Sequence, residues 1–101
     1  MDPRTEIVQL MDQCVSREAS DLHLSVGLPA TYRVHGKITR VGEQGYDPQR
    51  IHAMAEALMS DHHKEQFQRD MTLDMGYSTD AGNRFRVNVY REQGNSAMAI
   101  R

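Results

Sequence analysis

Between Arg84 and Arg91 the chain reads Arg-Phe-Arg-Val-Asn-Val-Tyr-Arg, and an extended strand sorts such a run by parity. Arg84, Arg86, Asn88 and Tyr90 fall on one face, with Phe85, Val87 and Val89 on the other. Two guanidinium groups in line on a strand make a surface that reads anions, because each is permanently charged and offers paired N–H donors to phosphate or carboxylate oxygens. Spacing alone is met at least as well by a solvated sheet face. Single-stranded RNA recognition also combines basic residues with exposed aromatics. Here, however, Phe85 points inward by alternation and the net charge is -2, so no nucleic-acid partner is expected.

The other reactive residue types are less suggestive. A phosphate-binding loop needs glycines that let backbone N–H groups surround phosphate oxygens, followed by Lys and Ser or Thr. None of the seven glycines sits in that pattern, and Gly36-Lys37 is followed by Ile38 at a hairpin turn. His62 and His63 are adjacent, so on a helix they diverge by about 100° where chelation favours i and i+4. His23 and His35, on polar faces of neighbouring strands, have neither a Cys partner nor a carboxylate at ligand spacing, and no metal site is expected. Cys14 is the only cysteine. It cannot form an internal disulfide, and its place in an apolar helix stripe marks it as a small core residue. Met54, Met59, Met71, Met75 and Met98 read as core packing.

The elements that must position these residues follow from periodicity. With 101 residues, 39% hydrophobic and 26% charged, the chain has the composition of one folded domain. No apolar run exceeds four residues, and the first residues are polar and charged, so neither membrane spanning nor export is encoded. Asp2-Pro3 starts a helix, running to about Glu18, whose stripe is Ile7, Leu10, Met11, Cys14 and Val15. Leu22, Leu24 and Val26 then alternate with polar residues, as do Ala30, Tyr32 and Val34, and a tight reversal at His35-Gly36-Lys37 leads into Ile38 to Val41. Asp47-Pro48 repeats the helix start before Ile51, Met54, Ala55, Leu58 and Met59, and a third helix capped by Ser60 or Asp61 runs to about Arg69 around Phe67. Two further alternating strands carry Leu73 to Tyr77 and Arg84 to Tyr90, and a last one spans roughly Ala97 to Arg101. The order αβββααβββ predicts an α+β domain, an antiparallel sheet of about six strands with helices on one face.

Two blocks of this sequence resemble a known family. Ala19-Ser20-Asp21-Leu22-His23-Leu24-Ser25, with Gly27-Leu28-Pro29 and Tyr32-Arg33-Val34-His35-Gly36 after it, is similar to the opening of PilT-type pilus-retraction ATPases. Arg84-Phe85-Arg86-Val87-Asn88, followed by Gln93-Gly94 and Ala99-Ile100-Arg101, resembles the segment that closes their N-terminal domain. The blocks occur in the family's order and separation, so the resemblance covers essentially the whole chain. It departs at Ile100, where leucine or phenylalanine is usual, and at Met75, where an aromatic often follows the aspartate.

The resemblance implies a PAS-like N-terminal domain occupying residues 1–101, without the RecA-like domain that carries the P-loop and acidic boxes. Such a piece alone is expected to be no enzyme and to hold no cofactor, whereas the parent would be an ATPase using ATP and Mg. The partners implied are the RecA-like domains of the same and adjacent subunits in a homo-hexamer, together with pilus machinery at the cytoplasmic side of the inner membrane. By the same resemblance, Arg86 and Arg101 match arginines that reach the ATP phosphates of the adjacent subunit, while Arg33 and Arg84 are second-rank residues of the domain interface. A PAS-like sensor with a small ligand, or a docking module with no nucleotide role, stays open as an alternative.

Overall fold

Asp2 and Asp47 each precede a proline, and each accepts a hydrogen bond from the backbone N–H three residues on, Thr5 at 2.9 Å and Arg50 at 2.7 Å. Aspartate caps free N–H groups while proline occupies a position that needs no donor, so both helices start where the sequence predicts. The computed structural model describes residues 1–101. Its helices are α1 (Pro3–Ser16), α2 (Pro48–Ala57) and α3 (Asp61–Asp70). The strands are β1 (Ala19–Leu24), β2 (Ala30–Val34), β3 (Lys37–Val41), β4 (Thr72–Ser78), β5 (Arg84–Glu92) and β6 (Asn95–Ile100). The expected α+β class and the order αβββααβββ are both observed.

The sheet order is β3-β2-β1-β6-β5-β4, antiparallel throughout. It consists of two three-stranded meanders joined where β1 pairs with β6, Leu22 opposite Ile100. Inward side chains of five strands, among them Leu22, Tyr32, Leu73, Val87 and Ile100, form one core with Ile7, Met11, Ile51, Met54 and Phe67 of the helices. Helix α1 lies against β1, α2 against β6 and α3 against β4. The opposite face of the sheet is left open.

Several residues depart from the periodic reading. Val15 is 55% exposed, because the apolar stripe of α1 is complete with Ile7, Leu10, Met11 and Cys14 and α1 ends at Ser16 rather than Glu18. Met71 is equally exposed and terminates α3 with φ at 63°. The left-handed conformation there turns the side chain away from the core, so Met71 is not a packing methionine, whereas Met54, Met75 and Met98 are buried. At the β2–β3 turn His35 and Gly36 both have positive φ, 49° and 80°, as a two-residue hairpin of matching twist requires.

Candidate functional site

The closing strands place the arginines. Arg86 of β5 and Arg101, just past β6, exchange both backbone hydrogen bonds at 2.9 Å. In an antiparallel ladder such partners project from the same face, and here it is the open one, since Phe85, Val87 and Ile100 beside them are buried. Gly76 of β4 is the cross-strand partner of Arg86 on its other side and contributes no side chain. In the next register row, Asp74 faces Asn88 and Asn88 faces Ala99.

These rows bound an open recess of about 350 Å³ lined by Asp74, Arg86, Asn88, Ala99 and Arg101. Its two ends differ in charge. Arg86 and Arg101 form the cationic end, and the Arg101 side chain is in no ion pair of the chain. At the other end Asn88 Nδ2 donates to the Leu73 carbonyl at 3.3 Å and to Asp74 Oδ1 at 3.4 Å. Asp74 Oδ1 also lies 4.0 Å from Arg86 Nε, with both side chains largely exposed.

The second-rank arginines lie outside this recess. Arg33 donates from Nε to Asp21 Oδ2 at 3.2 Å, and Asp21, only 20% exposed, also faces His23 Nε2 at 3.8 Å. Continuing the β1–β6 register by one residue puts Asp21 opposite Arg101, so Arg33 shares the row of Arg86 while already holding a carboxylate. Arg84 is exposed at the end of β5, paired with Ser78. The open face thus carries Arg33, Arg40, Arg84, Arg86 and Arg101 against Asp21, Asp74 and Glu92. It is locally cationic on a chain of net charge -2, a contrast that attracts anions to this side.

Elsewhere the reactive side chains have structural roles. Cys14 is 5% exposed, and burial, aided by the nearby Asp21 charge, pushes its thiol up to about 11, too high for a nucleophile at neutral pH. His23 and His35 point to separate carboxylates, Asp21 and Glu18, and no three His, Cys, Asp or Glu side chains converge as metal ligands. His52 Nδ1 meets Ser96 Oγ at 3.0 Å and His52 Nε2 meets Glu56 Oε2 at 3.3 Å. With Ser96 buried to 3% exposure, its hydroxyl ties α2 to β6 rather than facing a substrate. Asp74 and Ala99 are the recess residues that sequence reasoning passed over; the alternation of β4 against Leu73 and Met75 was the available signal for Asp74.

Comparison with known proteins gives a consistent picture. The chain is 29% identical over 96 residues to the type IV pilus retractation ATPase PilT of Pseudomonas aeruginosa, covering 95% of this chain and 28% of that protein. Its fold matches the crystal structure of the pilus retraction motor PilT with bound ADP at a TM-score of 0.87 and 26% identity, over 94% of this chain and 28% of that one. The ATPase DotB of Legionella pneumophila shares the fold at a TM-score of 0.76 and 17% identity, over 96% of this chain and 28% of its own. No family model matches. The chain therefore spans somewhat over a quarter of the length of the relatives it matches. Over nearly all of its own length it is similar to the N-terminal portion of a PilT-type ATPase. No helix is long and apolar enough to cross a membrane.

Proposed function

We propose that residues 1–101 are one N-terminal domain of a type IV pilus retraction ATPase. In the hexameric parent this domain packs on RecA-like domains of its own and the adjacent subunit, and presents Arg86 and Arg101 to the nucleotide held by the neighbour. The observation that carries this reading is the backbone pairing of Arg86 with Arg101, which sets two guanidinium groups side by side on an open cationic face. Likeness to a retraction motor solved with ADP supports a nucleotide as the anion. The guanidinium plane offers paired donors to phosphate oxygens and offsets charge developing on the transferred group. Arg33, held by Asp21, and Arg84 at the rim serve the domain interface. The parent would use ATP with Mg at the cytoplasmic side of the pilus machinery, while this chain alone, without a phosphate-binding loop, hydrolyses nothing.

Alanine substitution in the full-length parent tests the reading. Arg86→Ala and Arg101→Ala should each leave ring assembly intact and lower ATP turnover steeply, with about 1,000-fold as the lower end for loss of an arginine finger. Arg69→Ala is the control, since Arg69 sits on α3 and pairs with its own neighbour Asp70 at 3.0 Å. Undiminished turnover by assembled rings of both variants would leave a docking module without a nucleotide role.

A further inference from the structure

We propose that Asp74 is the resident counter-ion of the recess, occupying Arg86 in the absence of a ligand and yielding it when a polyphosphate arrives, so that Asp74 sets how tightly the recess holds its anion. The inference rests on the arginine reading above and concerns a residue of the opposite charge.

The two acid–arginine contacts of the open face differ in kind. Arg33 meets Asp21 at hydrogen-bond distance, and that carboxylate is four-fifths covered. Such a pair resists exchange, because an incoming anion would have to replace a made hydrogen bond and leave a largely covered carboxylate without its arginine. Asp74 approaches Arg86 only to 4.0 Å, beyond hydrogen-bond length, with side chains 60% and 77% exposed. A contact that open is screened and weak, and both groups can be rehydrated as they separate.

Asp74 is nonetheless fixed where it matters. Asn88 donates to its Oδ1 at 3.4 Å while also donating to the Leu73 carbonyl at 3.3 Å, bracing the β4 edge of the recess. Asp74 is the diagonal neighbour of Arg86 across the β4–β5 pair, and such neighbours lie about 7–8 Å apart, so a phosphate over the Arg86–Arg101 pair stays close to one Debye length of the Asp74 charge at physiological salt. Asp74 therefore opposes every anion that enters, whether or not it touches one. Nothing in the fold requires a charge there, since Asp74 is exposed and contacts no core residue through an ion pair.

The test is titration of inorganic tripolyphosphate into the 101-residue chain at low ionic strength, following the arginine Nε–H resonances. In the wild type the Arg86 and Arg101 signals should shift on binding, and in Asp74→Asn the dissociation constant should fall roughly two- to fivefold, the range of an exposed charge interaction. The gain should shrink as salt is added. Asp74→Glu, which restores the charge, should bind like the wild type, and Glu65→Gln, an equal charge change on α3, should bind unchanged. If Asp74→Asn binds no tighter while the Arg86 and Arg101 resonances still respond, the counter-ion role is overturned and the arginine reading stands. If those two resonances are silent in every variant, both fall together.

Discussion

Arg86 and Arg101 are locked to each other through the main chain: each N–H donates to the other's carbonyl at 2.9 Å. Directly paired residues of this kind have Cα atoms about 5.5 Å apart, so the two guanidinium groups are anchored at a separation set by the sheet rather than by side-chain packing. A ligand bridging them engages both or loses most of its hold.

Their contributions should therefore be non-additive. In the full-length ATPase proposed above, Arg86→Ala/Arg101→Ala should lower turnover little beyond the stronger single variant, as for groups that act as one unit. Steady-state kinetics of the two singles and the double checks this, and losses that simply multiply would show two independent contacts.

Gly76→Ala should stabilise the chain by about 0.5–1 kcal/mol, because glycine in a strand interior costs conformational entropy. An added Cβ would meet only the Phe85 carbonyl, at 4.0 Å. Urea denaturation measures the change, and a lower midpoint would mean that this space is needed within the chain itself.

The Cys14 thiol stays neutral in the folded chain up to about 11, whereas its ordinary value is 9.0. A raised pKa means that the folded state keeps the proton longer, so this stabilisation is complete below pH 9 and is lost as pH rises through 11. A rise of that size is worth about 2–3 kcal/mol as an upper figure. Burial likewise raises Tyr46 to about 12, which acts in the same direction at higher pH. Denaturation between pH 7 and 10.5 should show the wild type losing stability faster than Cys14→Ala. Parallel pH profiles would refute the assignment.

Asp12 of α1 accepts from Thr79 Oγ1 at 2.7 Å and from Asn83 Nδ2 at 2.8 Å, tethering the turn before Arg84 to the helix layer. Asp12→Ala should cost about 1.5–3 kcal/mol, the usual figure for hydrogen bonds to a charged group. Hydrogen exchange should quicken most at residues 79–83, and uniform loss of protection would point to a global effect instead.

Local chemistry carried most of the fold into view. The two Asp-Pro steps fixed the starts of α1 and α2, and alternation around Leu22, Tyr32, Leu73 and Phe85 marked the strands and their inward faces. Alternation likewise assigned Arg84 and Arg86 to one face. The pairing of β1 with β6 was not legible, because it joins residues nearly eighty positions apart and leaves no local signal. Hence the row that brings Asp21 beside Arg101 had to await the structure. Met71 escaped for another reason: glycine is the usual residue to end a helix in the left-handed conformation, and a methionine there announces nothing.

The central position of β6 has a consequence for synthesis. Of the six strands it leaves the ribosome last, yet its place is the middle of the sheet, between β1 and β5. Until Asn95–Ile100 emerges, the nascent chain holds the β1–β3 meander and the β4–β5 hairpin as separate pieces, each presenting an unpaired inner edge with apolar side chains beside it. Bare edges of that kind pair readily with other chains. This sheet is therefore most exposed to aggregation just before β6 slots home, and translation pausing a few residues short of Ile100 should lower the yield of the native sheet more than a pause shortly after it.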